Sequence, residues 1–188
     1  MRESLIIPMM MFGRFRSTRA KRDENGNAIV KKLDSRGRKV YEKEKCWITH
    51  NQKDGDKGVY PSVNHIYERM QKGRQKLTKP AQDLKKRWEA AAHLWASKTG
   101  WTQTSNEKVV VELTAYFPSD NIRRDTNNVF KLMMDAFSEI IYDDDVNVLP
   151  RVMDFQKVKE NEQPYFKLDI YLKSEEDQVI MERIAEAS

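Results

Sequence analysis

Apolar residues recur at helical spacing between Pro80 and Ser97, where Ala81, Leu84, Trp88, Ala91, Ala92 and Trp95 share one face and Asp83, Lys85, Lys86 and Glu89 the other. That period predicts an amphipathic helix, with Pro80 suited to its first turn and Gly100 to its end. Over 107–117 the period drops to two. Val109, Val111, Leu113, Ala115 and Phe117 alternate with other residues, and Pro118 stops the run, so the stretch predicts a strand with one well-buried face. A second helix opens near Asn128, with Val129, Met133, Ala136, Phe137 and Ile140 as its apolar stripe and Lys131, Asp135 and Ser138 on another side. Residues 148–158 and 165–172 predict two further strands; in the second, Phe166, Leu168, Ile170 and Leu172 alternate with Lys167, Asp169 and Tyr171. Glu175 to Ala187 predicts a short C-terminal helix around Val179, Ile180 and Ile184.

The first 60 residues are less regular. Leu5 to Phe12 predicts a strand or buried edge, and the following "GRFRSTRAKR" places Arg14, Arg16, Arg19, Lys21 and Arg22 on a flexible background. Residues 27–50 suggest two strands around a turn containing Gly37, and "NQKDGDKG" is a loop by composition. Together the elements predict an α+β fold, a mixed sheet with helices packed on it. The expected organisation is an N-terminal extension over 1–58, a core over 59–174, and a short helix or tail over 175–188.

At 188 residues, one core with an extension is the natural expectation. The net charge of +5 points to a polyanionic partner, which leaves ribosome, membrane surface and nucleic acid open. Cys46 is the only cysteine, which excludes an internal disulfide and a multi-cysteine zinc site and fits a reducing compartment. The apolar start "LIIPMMMF" is too short to span a bilayer and is broken by Pro8, so the expectation is a cytoplasmic protein without membrane association.

The stretch "RRDTNNVFK", Arg123 to Lys131, adds chemistry to this frame. Asp125 lies between a strand that stops at Pro118 and a helix that starts near Asn128, which puts its side chain at an exposed end of the sheet. Lys131 stands four residues after Asn127, on the same helix face. Asp143, Asp144 and Asp145 follow the helix as a run of like charge that a hard divalent cation would relieve. Such a cation can supply hydroxide to a phosphodiester, and a lysine within reach can stabilise the developing charge. Simpler readings remain open: Asp125 or Asn127 as a helix cap, the acidic run as a solvated turn, and Arg123, Arg124 and Lys131 as ordinary surface residues.

Taken together, "RRDTNNVFKLMMDAFSEIIYDDDVNVLPRV" resembles the core of the RusA family of Holliday-junction resolvases, in which an arginine-rich segment leads to D-x-D-N-x-x-K opening a helix with a D-A near its middle, and then to a D-D pair before a strand. Asp125, Asn128, Lys131, Asp135 with Ala136, and Asp144 with Asp145 fall on that pattern, and "YPSVNHIYER" is similar to the family's P-S-x-N stretch. Asn127 departs from it, standing where the family usually has its second aspartate.

The resemblance implies a homodimeric, bacterial or phage-encoded endodeoxyribonuclease that makes paired cuts in a four-way DNA junction with Mg²⁺, or Mn²⁺ in its place. It implies Asp125 and Asp145 as principal metal ligands with Asn127 and Asp144 in support, and Lys131 at the scissile phosphate. Arg123 and Arg124 would hold the DNA backbone, with Asn64, His65 and Arg69 as further DNA contacts. The neutral Asn127 also leaves open a junction-binding protein with weak or lost catalysis.

Overall fold

The computed structural model describes residues 3–120 and 122–187. In chain order its elements are β1 (Glu3–Pro8), β2 (Gly13–Ala20), β3 (Val30–Leu33), β4 (Lys39–Tyr41), β5 (Lys43–His50), α1 (Val63–Ile66), β6 (Tyr67–Arg69), β7 (Gln75–Leu77), α2 (Lys79–Thr99), β8 (Val109–Phe117), α3 (Phe130–Phe137), β9 (Val148–Lys157), β10 (Tyr165–Leu172) and α4 (Glu176–Ala187). The fold is α+β, as the alternation of periods predicts.

Four strands make the main sheet in the order β1-β10-β8-β9. β10 is antiparallel to both β1 and β8, whereas β9 runs parallel to β8 with Val109 opposite Val148 and Phe117 opposite Lys157. A parallel neighbour requires a crossover, and α3 with its flanking loops provides it.

One face of the sheet carries Leu5, Ile7, Val109, Val111, Leu113, Ala115, Phe166, Leu168 and Ile170, buried against Leu84, Trp88 and Ala92 of α2 and Leu132, Met133 and Ala136 of α3. Trp88 is fully buried, and its indole N–H donates to the Pro8 carbonyl at 2.7 Å, tying α2 to the end of β1. β8 departs from the one-face expectation because it is a central strand: Val110 and Glu112 on its second face are buried too, under α4. Among the described side chains of that helix Val179 alone is a buried apolar one, while Ile180 and Ile184 are more than two-fifths exposed. α4 therefore rests on a narrower apolar contact than its sequence stripe predicts.

The basic run is also more ordered than expected, because Gly13–Ala20 pairs antiparallel with Lys43–His50 along its whole length. Backbone bonds between Lys21 and Glu42, Ile29 and Lys21, and Glu42 and Ile29 carry this ribbon on toward the β3–β4 hairpin, whose turn contains Gly37. Residues 13–50 thus form a continuous β-arm. At its root Met11 and Val59 exchange backbone hydrogen bonds, and Gly58 (φ +75°) lies so close that a Cβ there would stand 2.8 Å from the Met11 carbonyl oxygen. The expected second helix is shorter than its stripe: a 3-10 turn over Thr126–Val129 precedes α3, and Ile140 lies beyond its end.

Candidate active site

The loop that leaves β8 doubles back on an internal ion pair. Arg124 donates from both terminal nitrogens to the two carboxylate oxygens of Asp120, at 2.7 and 2.8 Å, and its guanidinium lies 5.9 Å from the centre of the Phe117 ring. The Arg124 side chain is only 5% exposed. This pairing holds the Asp120 carboxyl well below the usual carboxylate range, at about 2. Arg124, which the resemblance implies as a DNA-backbone contact, is in this structure turned into the loop that presents Asp125 and paired there with Asp120.

Asp125 is exposed, and it does what a cap does: Oδ1 accepts from the Asn127 backbone N–H at 2.9 Å and Oδ2 from the Asn128 amide at 3.2 Å. From below, the Tyr60 hydroxyl donates to the Asp125 carbonyl at 3.0 Å while its ring packs edge-on to Phe117 and Phe166. Burial, followed by the Asp125 charge, pushes the Tyr60 hydroxyl far above its usual range, so it stays a neutral donor. Arg123 and Asn127 are both exposed beside this carboxylate. Lys131 is exposed one turn further on and pairs loosely with Asp135 at 3.6 Å.

The acidic run lies elsewhere. Tyr142 is fully buried, with its hydroxyl donating to the Met134 carbonyl, and Trp101 donates to the Ile141 carbonyl. These contacts fix the loop after α3 against the segment leading into β8. Asp143 accepts from the Asn106 backbone N–H at 2.8 Å and from the Asn147 side chain at 3.1 Å. Those bonds, the Asn106 one foremost, hold its carboxyl below the usual range. Asp143 is thus a structural fastener. Asp144 caps a short turn through the Val146 N–H, and Asp145 is exposed next to it.

The positions of these two acidic groups follow from the register. Asp125 belongs with Phe117 at the C-terminal end of β8, while Asp143 to Asp145 belong with Asn106 and Val109 at its N-terminal end. Of the residues between them, the 3-10 turn Thr126–Val129 and α3 together span roughly 20 Å at helical rise. Shared metal oxygens stand about 2 Å from the ion. Within one chain, then, the groups expected to converge on one cation do not, and among the described residues no three His, Cys, Asp or Glu side chains gather closely enough to hold a metal ion.

Asn64, His65 and Arg69 lie apart again, around a groove of about 410 Å³ between the β-arm and the start of α2, with Arg14, Arg16 and Trp47 on its far wall. The sequence gives no role to Trp47 or Asp120, and Tyr60 enters it only as the first residue of the stretch "YPSVNHIYER". The i, i+4 spacing of Asp120 and Arg124 was the one available signal, and it lies in a loop where that spacing carries no standing expectation.

Comparison with known protein families supplies the class. Residues 56–171 match the family model described as Endodeoxyribonuclease RusA, which makes the class a DNA-cleaving endonuclease. The chain belongs to the RusA family. No curated protein matches it.

Proposed function

We propose that the protein resolves four-way DNA junctions by paired phosphodiester cleavage, as a two-fold homodimer whose metal sites are each completed by residues of both copies. The observation that carries this reading is the placement of the acids at opposite ends of one parallel strand pair. β9 is an edge strand whose outer side has no neighbour among the described residues, and Val152, Met153 and Phe155 are exposed along it. Two copies meeting there antiparallel would set the start of one β9 beside the end of the other. Asp144 and Asp145 of one protomer would then face Asp125 and Asn127 of the second, twice over, in an arrangement whose symmetry suits a four-way junction.

The donors in that arrangement are carboxylate and amide oxygens, the set that Mg²⁺ or Mn²⁺ accepts. Bound there, the ion supplies a nucleophilic hydroxide at neutral pH and offsets charge on the phosphate. Lys131, exposed on the first turn of α3, can reach the same phosphate, and Arg123 contacts the neighbouring backbone without reading sequence. Asp135 keeps the Lys131 ammonium from ranging freely.

Mixing tests this. Asp125→Asn and Asp145→Asn homodimers each lose cleavage of a synthetic four-way junction in Mg²⁺. A co-refolded mixture recovers nicking, because the heterodimer keeps one site with both aspartates intact. If each site were built within one chain, the mixture would stay as inactive as its parents.

The neutral Asn127 supports one rival, a junction-binding protein without turnover. That reading predicts tight, salt-sensitive junction binding by the unaltered protein and no cleavage in either Mg²⁺ or Mn²⁺.

A further inference from the structure

The β-arm lies outside the residues that match the family. Residues 13–50 contain twelve Lys and Arg and five Asp and Glu, a net +7 against +5 for the whole chain. The positive surplus therefore resides in the arm, and the rest of the chain is slightly acidic.

One place on the arm is built differently from a solvated basic ribbon. Phe15 points inward and is buried at the arm's root, so its strand neighbours Arg14 and Arg16 point to the opposite face. Trp47 is the register partner of Arg16 on β5. Both guanidinium carbons lie over its ring, at 4.7 and 5.3 Å from the centroid. The indole is nevertheless 48% exposed. Neither arginine has a carboxylate partner among the described residues, in contrast to Arg19, which is paired with Glu44.

Two like charges held side by side without a counter-ion favour an anion, and a half-exposed indole between them offers a flat apolar surface. The groove beside them adds Asn64, His65, Arg69 and Lys79 on the core side. Its root is rigid: Gly13 (φ +126°) sits so close to Pro80 that a Cβ would stand 3.1 Å from the proline ring.

We propose that this groove binds an unpaired nucleotide of a DNA strand, with the base against Trp47 and the adjoining phosphates on Arg14 and Arg16. The proposal rests on the DNA-directed reading above and adds a site to it. A guanidinium that leaves the ring for a phosphate uncovers an indole face on which any base can stack. Double-stranded DNA has no base free to use that face, so the site distinguishes opened strands from closed duplex. A branched substrate would offer such strands where the pairs at its centre open.

Binding of full-length protein to labelled oligo-dT, to a blunt duplex of equal length, and to oligo-U is measured by fluorescence anisotropy in EDTA, so that cleavage plays no part. Trp47→Ala weakens oligo-dT binding by about tenfold and leaves duplex binding within about twofold, the size expected for one lost stacking contact. Trp47→Phe retains most of the affinity, and thermal melts of both variants match the parent because the ring is half in solvent. The double change Arg14→Gln with Arg16→Gln lowers the salt slope by about 1.4, as two lost phosphate contacts on a single strand require. Unchanged oligo-dT affinity in Trp47→Ala, an equal loss on duplex, or tighter binding of oligo-U than of oligo-dT would each overturn the proposal. None of these outcomes touches Mg²⁺-dependent junction cleavage, and failure of that cleavage would not alter the EDTA binding series.

Discussion

Asp120 and Arg124 decide how the loop after β8 presents Asp125. Because Arg124 donates to both of its oxygens, the Asp120 carboxyl titrates at about 2 instead of near 4, against the opposing effect of burial. A carboxyl lowered in the folded state adds stability that is fully present above its unfolded value and is lost as pH falls through the folded one. The expected result is a loss of about 2 kcal/mol between pH 4 and pH 2, abolished in Asp120→Asn, which is already destabilised by a similar amount at neutral pH. Urea unfolding of both proteins across that range measures it. Sequence spacing singled out Asp125, Lys131 and Asp145 as candidates but did not reveal the Arg124–Asp120 pair. An arginine beside a carboxylate motif looks the same in sequence whether it faces DNA or an aspartate four residues before it, three past the end of β8.

At the scale of elements, α4 is held to the sheet more by charge than by apolar contact. Glu112, 3% exposed in the middle of β8, accepts from the Tyr171 hydroxyl at 2.7 Å and from both terminal nitrogens of Arg183 on α4, with Arg151 of β9 nearby. Burial, with the Glu112 carboxylate next in effect, pushes the Tyr171 hydroxyl up to about 12. Arg151 and Lys173 both pair with Glu176 at the start of α4, which fixes the helix at its other end. Removing one member of such a cluster strands the others, so Glu112→Ala is expected to cost about 3 kcal/mol and Glu112→Gln less. Hydrogen exchange should localise the loss to α4 and leave α2 protected, since α2 packs on the opposite face. The helices and strands of this region were legible from their periods. The cluster was not, because Glu112 occupies an outward position in an alternating strand, and only the presence of α4 over that face makes it a buried one.

For the molecule as a whole, the exposed side of β9 bears on the proposed dimer. Phe155 is 67% exposed on an edge strand, next to Met153 at 50%. If two copies meet there, Phe155→Glu places two carboxylates in the interface and yields a monomer by sedimentation velocity. Junction cleavage is then lost, while oligo-dT binding through the arm persists. A dimer undiminished by that change would mean that the copies meet elsewhere. No helix among the described residues is long and apolar enough to cross a membrane.

The sequence alone determined what depends on local chemistry: the two periods that distinguish helices from strands, the α+β class, and the acidic and basic residue types whose order matches the RusA family. Only the tertiary structure decided what depends on distance. Parallel pairing of β9 with β8 sends the chain back along α3 and so parts Asp125 from Asp145, although the two are only twenty residues apart in sequence. Antiparallel pairing of β2 with β5 brings Trp47 to Arg14 and Arg16 from more than thirty residues away. Spacing along a chain fixes neighbours within a turn or a strand, whereas strand order and direction are set by what the whole sheet can bury.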